Sequence, residues 1–337
     1  MKRFKTGVVG LRFGQFLART LAHLESAQLV ALADRNPNIA EGLDTYAARY
    51  GARAYRSSED MFANEALDAV VIATAPKARA PIIKQAAERG IAMFVEKPWA
   101  TNPDHAAQLA ELCQQHKATV MLGFSFRFHP AITRLKQLMS DELGQGWMLN
   151  GEYVFDFLPP AEGWFWDPEN GNGMFNENSC HLFDAVCYLM GKPVSVMAAA
   201  AQFAGRPAEE AAAISLEFES GAIAALTVGG YGSNAHWDFP RIDITTEHGQ
   251  ARLRGRHHMW DSLSWAKRNE DTVRSFTQPA EILGTTRYTH AFAHFFERLR
   301  KGEQPCATIE DGMRSVAITD AVARSARSGK KIMLDLE

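Results

Sequence analysis

From Lys5 to about Gly123 the chain alternates short apolar runs with amphipathic stretches, and few folds accept that rhythm. The runs Thr6 to Val9, Gln28 to Ala33, Asp68 to Ala73, Ile91 to Val95 and Thr119 to Leu122 read as strands. Helices are predicted between them, near Gly14 to Leu24, Ile39 to Tyr50, Pro81 to Arg89 and Asp104 to His116. The last is opened by Thr101-Asn102-Pro103, which supplies a capping side chain and a first-turn proline. Strands that alternate with helices pair in parallel, so the expectation is an α/β fold with a doubly wound parallel sheet. Past that point the rhythm changes. After a helix near Pro130 to Met139, strands at Met148 to Phe157, Ala212 to Glu219, Ala222 to Val228 and Arg241 to Thr246 follow one another through links as short as Glu219-Ser220-Gly221. Such short links suit an antiparallel sheet. Helices return from Arg287 to Arg300 and from Ile309 to Ser328, ahead of an apolar Ile332 to Leu334. A chain of 337 residues exceeds one ordinary core. The two rhythms divide it into domains 1–123 and 124–337, with the final residues able to pack back on the first.

Charge and composition narrow the partners. The net charge of -3 comes from 39 acidic against 36 basic residues, and no basic stripe marks a nucleic-acid partner. No segment approaches the roughly 18 apolar residues of a membrane span. Met1-Lys2-Arg3-Phe4-Lys5 runs straight into a strand instead of a signal-peptide core, so a cytoplasmic protein is expected. Cys113, Cys180, Cys187 and Cys306 lack C-x-x-C spacing and fit reduced, buried thiols.

The first strand runs into a glycine turn and a helix start, Thr6-Gly7-Val8-Val9-Gly10-Leu11-Arg12-Phe13-Gly14-Gln15. Gly10 fits the tight turn of a dinucleotide fold, and Gly14 opens the helix whose amino-terminal amides favour a pyrophosphate. Arg12 stands where such a fingerprint has its second glycine. A helix packed on a strand would need no more than this. The second strand, however, ends in Asp34-Arg35, and an acid roughly 20 residues past the glycines is where ribose hydroxyls are bound. The expected cofactor is therefore NAD or NADP, with Asp34 tilting the choice towards NAD and Arg35 able to pair with a 2'-phosphate. Its contacts are expected from Gly10, Leu11, Arg12, Phe13, Gly14, Asp34, Arg35, Thr74, Pro76, Glu96 and Lys97.

Glu96-Lys97-Pro98 ends the fourth apolar run, where a parallel sheet presents its carboxyl edge and open α/β sheets bind ligands. Farther on, Asn170-Gly171-Asn172-Gly173 enters a predicted helix in which Glu177, His181 and Asp184, spaced four and three apart, share a face. Oxidising a secondary alcohol needs a group that takes the hydroxyl proton and a positive charge near the developing alkoxide. His181 suits the first task, with an ordinary pKa near 6.5, and Lys97 the second. Glu177 completes the candidate catalytic set as an orienting carboxylate that can also accept a substrate hydroxyl. A metal held by Glu177 and His181 is set aside, since no third ligand is evident.

Together, Gly10 to Gly14, Asp34, Glu96-Lys97-Pro98, Gly123-Phe124-Ser125-Phe126-Arg127-Phe128, the Gly171 to Asp184 segment and Glu310-Asp311-Gly312 resemble the Gfo/Idh/MocA family over essentially the whole chain. The resemblance implies a Rossmann domain followed by an α/β domain with a large, open, mostly antiparallel sheet used for homo-oligomerisation. It also implies that the lysine of E-K-P and the acid and histidine of a D-x-x-x-H pattern carry catalysis, here Lys97, Glu177 and His181. Three departures stand out: Arg12 for glycine, Glu177, longer by a methylene, for aspartate, and Ala80 where many members have a histidine. Thr74-Ala75-Pro76-Lys77 is a degraded T-P-N motif. The aromatic run Trp164-Phe165-Trp166 precedes the glycines, and either lines a carbohydrate pocket or belongs to the core. With Arg127, Glu177, His181 and Asp184, Trp164 and Trp166 form the candidate substrate set, and His236-Trp237 is a weaker one. The expectation is an NAD(P)-dependent dehydrogenase or reductase acting on a sugar, sugar derivative or cyclic polyol. A ligand-sensing regulator, an NAD-dependent glycosidase and a non-sugar dehydrogenase are the alternatives.

Overall fold

Apolar runs with no polar alternation must be covered on both faces, and the central strands of the first sheet are built from them. Its strands are β1 (Phe4–Val9), β2 (Ala27–Ala33), β3 (Arg53–Tyr55), β4 (Ala69–Ile72), β5 (Ala92–Val95) and β6 (Val120–Leu122). All pairs are parallel, in the order β3-β2-β1-β4-β5-β6. Every residue of β4 and β5 is buried. The order reverses between β1 and β4, the switch point at which right-handed crossovers send helices to opposite faces and leave a crevice at the strands' carboxyl ends. The crossovers carry α1 (Gly14–Ala22), α2 (Leu43–Ala48), α3 (Ser58–Asn64), α4 (Arg79–Glu88) and α5 (Pro103–Gln115). The structure, a computed structural model, describes residues 2–36, 39–162, 164–167, 173–235, 239–256, 258–278 and 283–335, side chains of 283–286 excepted.

The chain forms two compact units. The first joins Met1–Phe124 to Tyr288–Met313, and the second joins Ser125–Arg287 to Arg314–Glu337. The returning segment lies in α8 (Leu283–Lys301) and the start of α9 (Ile309–Ser328). Its aromatic stripe explains the return. Phe292 and Phe295 meet Phe94 of β5 at 4.7 and 6.0 Å between ring centroids, and Phe296 stacks on Phe4 of β1 at 5.3 Å.

The second unit is laid on nine strands. They are β7 (Gly146–Val154), β8 (Pro193–Ala201), β9 (Ala211–Phe218), β10 (Ile223–Gly229), β11 (Arg241–Thr246), β12 (Gly249–Arg256), β13 (Met259–Lys267), β14 (Arg274–Thr277) and β15 (Ile332–Met333). The order is β14-β13-β12-β11-β7-β10-β9-β8-β15, antiparallel throughout except for β7 with β10. At one edge β15 pairs antiparallel with β8, Ile332 opposite Val196 and Met333 opposite Ser195. Strands such as β10 and β11 alternate buried and less buried positions, as a one-sided sheet requires. Their inward residues share a core with α6 (Pro130–Leu138), α7 (Cys180–Met190) and Ile318, Ala321 and Val322 of α9.

Candidate active site

In the first unit the cofactor candidates gather where β1, β2, β4 and β5 end. Gly10 has φ +86°, and a Cβ there would lie 2.9 Å from the backbone of Ala73 and Thr74. Only glycine fits both the left-handed turn and that approach. Gly14 then opens α1, and Leu11 is buried beneath the turn while Arg12 and Phe13 are exposed. Phe13 rests against Phe16 and Tyr288, with centroids 5.6 and 5.7 Å away. The Asp34 carboxylate accepts the Leu11 amide at 2.5 Å and the Asn36 amide at 2.8 Å, so it is fixed beside the glycine turn. Each oxygen keeps a lone pair for another donor. Arg35 is exposed and points its charge to Glu59, 3.7 Å away. Thr74 follows β4 with its hydroxyl buried and without a hydrogen-bond partner among the described residues, and Pro76 is buried in a short helical turn. A glycine turn, a helix amino terminus, a fixed carboxylate and an orphaned buried hydroxyl on one sheet edge fit a dinucleotide.

The turn after β5 is held by packing. The Glu96 carboxylate is buried, accepts the Lys97 amide at 3.2 Å, and lies where a Cβ on Gly123 would be, 2.8 Å away. Trp99, wholly buried, donates from Nε1 to the Ala106 carbonyl at 3.2 Å. A Cβ on Gly312 would fall 2.8 Å from the Cβ of Trp99, so the glycine of Glu310-Asp311-Gly312 lets α9 approach this turn. Lys97 stays partly exposed. Arg79, by contrast, is 1% exposed and bonds to the carbonyls of Thr74 and Pro98. Sequence reasoning missed it, although a signal was present. Arg79 stands in register with Ile82, Ile83 and Ala86, a charged residue in the buried stripe of α4.

In the second unit, Met174–Ser179 winds as a π-helical turn that leads into α7. Glu177 therefore lies in the wider turn, partly exposed, while only His181 and Asp184 share a face by α-helical spacing. Such π-helical turns recur at functional sites. The His181 ring is 8% exposed and stacks on Phe126 at 4.6 Å with planes 20° apart. Phe126 is itself edged by Tyr153 of β7 at 5.8 Å and Trp260 of β13 at 5.7 Å, and the Arg287 guanidinium lies 5.6 Å over it. Burial pushes the Tyr153 hydroxyl well above its ordinary pKa, and His258 Nδ1 lies 2.7 Å from it.

Arg127, next to Phe126, forms a two-pronged ion pair with Asp184, Nε to Oδ2 at 2.9 Å and Nη2 to Oδ1 at 2.5 Å. The side chains are 5% and 1% exposed, so as placed they hold each other and lock the Phe126 turn to α7. Tyr188 lies under the guanidinium at 4.9 Å. Burial, then the charge of Arg127, lowers the Lys136 pKa, and its Nζ donates to the Tyr188 carbonyl at 2.6 Å. The two tryptophans part company: Trp166 is 1% exposed and bonds the Pro159 carbonyl at 3.2 Å, whereas Trp164 is 36% exposed. Asn170, Gly171, Asn172, His236 and Trp237 lie outside the described residues. Among the described residues, no cluster of three or more His, Cys, Asp or Glu side chains could hold a metal, and no helix is long and apolar enough to cross a membrane.

Two family models match this chain, an oxidoreductase-family NAD-binding Rossmann fold over residues 4–124 and an oxidoreductase-family C-terminal alpha/beta domain over residues 136–334. The chain is 26% identical to inositol 2-dehydrogenase of Rhizobium meliloti, across 97% of this chain and 98% of that protein. It is 24% identical to D-xylose 1-dehydrogenase (NADP(+)) 2 of Haloferax volcanii, across 98% and 96%. The fold is shared with levoglucosan dehydrogenase in complex with NADH and L-sorbose, at a TM-score of 0.89 and 19% identity over 99% of this chain and 100% of that one.

Proposed function

The chain belongs to the Gfo/Idh/MocA oxidoreductases, and from that membership we propose that it transfers hydride between a nicotinamide and a secondary hydroxyl or ketone of a sugar, sugar derivative or cyclic polyol. The single observation that carries the proposal is the Gly10 turn with the Asp34 carboxylate fixed at the Leu11 amide. A carboxylate held there accepts ribose hydroxyls and repels a 2'-phosphate, which favours NAD over NADP. Leu11 to Gly14 supply the turn and helix terminus for the pyrophosphate, and Thr74, Pro76 and Glu96 line the far half of the groove.

The bound nicotinamide supplies or accepts the hydride. Lys97 places an ammonium at the reacting oxygen and stabilises alkoxide charge, while His181 exchanges that oxygen's proton as general base or acid. Phe126 restricts the imidazole to one plane, and the Arg127–Asp184 pair keeps Phe126 in register with α7. Glu177, in the π-helical turn, accepts a substrate hydroxyl or orients His181. Trp164, the exposed member of the aromatic run, offers a face to sugar C–H groups, whereas Trp166 belongs to the core. A hydroxyl-rich substrate agrees with the inositol and xylose dehydrogenases among the relatives.

We further assign the outward face of the nine-stranded sheet to a second copy of the chain. That face carries a concavity of about 730 Å³ lined by small side chains such as Ala199, Ala213, Ser215 and Ala225, which a facing sheet can approach closely. A cytoplasmic setting suits the thiols, of which Cys113 is pushed up to about 12 by burial and is inert at neutral pH.

Two measurements test the assignment. A screen of inositols, aldoses, anhydro-sugars and keto-sugars against simple secondary alcohols and short hydroxy acids, followed at the reduced-nicotinamide band, should show turnover only with polyhydroxylated rings. Preference for a hydroxy acid would sink the carbohydrate class. Asp34→Ala should weaken NAD(H) by roughly tenfold, the value of a charge-assisted bond, and NADP(H) far less. Equal loss of both would remove Asp34 from the ribose site.

A further inference from the structure

Arg79 is a charged side chain that the proposed chemistry does not use, and it is buried as completely as the core leucines. It occupies the apolar stripe of α4 beside Ile82, Ile83, Ala86 and Ala87, where a leucine or methionine would pack without desolvating a guanidinium. Its hydrogen bonds say why a cation stands there. Nε and Nη2 both donate to the Thr74 carbonyl, at 3.0 and 2.7 Å. Nη1 donates to the Pro98 carbonyl, and Nη2 also faces the Lys97 carbonyl at 3.5 Å. One planar group thus ties the turn after β4 to the turn after β5, two segments far apart in sequence.

We propose that Arg79 is a positioning residue that sets the nicotinamide half of the groove, by clamping the turn after β4 at Thr74 to the Lys97-Pro98 turn after β5. The inference rests on the dinucleotide assignment above. A sheet of this strand order binds its ligand in two halves across the switch point. The adenosine half belongs to β1 and β2, with Gly10 and Asp34; the other half belongs to β4, β5 and β6. Every bond described for Arg79 falls on the second half. Its fork of five N–H donors reaches both turns at once, whereas a lysine ammonium, with one nitrogen on a flexible stem, can satisfy only one of them well. Released from the clamp, Lys97 would keep its charge and lose its fixed backbone.

The experiment compares NAD+ with ADP-ribose, which lacks only the nicotinamide, by calorimetric titration of the wild-type protein, Arg79→Lys and Arg79→Gln. Both variants should bind ADP-ribose as the wild type does and lose roughly tenfold in NAD+ affinity, with Arg79→Gln losing at least as much as Arg79→Lys. Thermal melts without ligand separate this from general damage, because a merely structural arginine would weaken both ligands in step with stability. Equal loss of both ligands, or no loss of either, overturns the clamp. Should the variants not fold, hydrogen exchange on the wild type decides. NAD+ should protect the amides of residues 74–80 and 96–99 together where ADP-ribose protects neither, and protection of one segment alone would refute the coupling. A wild-type protein that binds neither ligand removes the dinucleotide assignment and this inference with it. Binding of both ligands with no selective effect of the variants removes the inference only.

Discussion

The two units hold their functional groups by different means. In the first, the parts are backbone: a left-handed glycine, strand ends in parallel register, and amides and carbonyls bonded by Asp34 and Arg79. In the second, they are side chains resting on other side chains, with His181 on Phe126, Phe126 against Tyr153 and Trp260, and Arg127 on Asp184. A ligand whose reactive ring must be placed the same way in every turnover gains from a backbone frame, which tolerates few substitutions. A site that must take one substrate or another gains from a side-chain frame, because each contact can change without refolding the scaffold.

The comparison is most exposed at the reacting groups. His181→Ala and Lys97→Met should each lower turnover on order of 10²- to 10⁴-fold while calorimetry finds NAD+ binding little changed. If either variant kept wild-type turnover on an identified substrate, its residue would leave the mechanism. Next in size is Arg127→Leu, which takes both prongs of the ion pair from a buried carboxylate and should cost about 3–5 kcal/mol in denaturant unfolding. Combining it with Asp184→Leu should recover part of that loss. If instead the double variant were worse than the single one, the pair would be doing more than bracing Phe126 against α7. Smallest in stability is Gly10→Ala, expected to cost about 1–3 kcal/mol through its backbone conformation and approach to Thr74. That change should nevertheless abolish measurable NAD+ binding and leave the second unit's local hydrogen exchange untouched. Unaltered NAD+ affinity in Gly10→Ala would erase the contrast between the two frames.

Backbone-built features left the clearer trace in the sequence. Gly10, Asp34 and Glu96-Lys97-Pro98 are short, local and spaced by the geometry of strand and helix. The first sheet was legible as well, apart from the three-residue β3, with Arg53 exposed and Ala54 and Tyr55 half-buried, and the short α3. The second sheet was half hidden. The alanine run of β8 lacks the branched side chains that mark strands, and β12 spaces Arg252, Arg254 and Arg256 between its apolar positions, which reads as solvated loop until Asp243 and Asp261 are seen pairing with them. The stack of Phe126 on His181 joins residues 55 apart in the chain, and no local pattern records such a pairing. The π-helical turn was equally invisible, because four-residue spacing from Glu177 to His181 looks α-helical on paper.

The return of Tyr288–Met313 to the first unit carries a consequence for how the protein is made. Synthesis runs from the amino terminus, and domains ordinarily fold in the order in which they emerge. Here Phe4 and Phe94 find their partners in Phe296 and Phe292 of α8, which leave the ribosome only after the whole of Ser125–Arg287. The unit translated first is thus completed late, with an apolar flank open to chaperones in the interval, and a gene cut after Phe124 would encode a nucleotide-binding sheet with part of its cover missing.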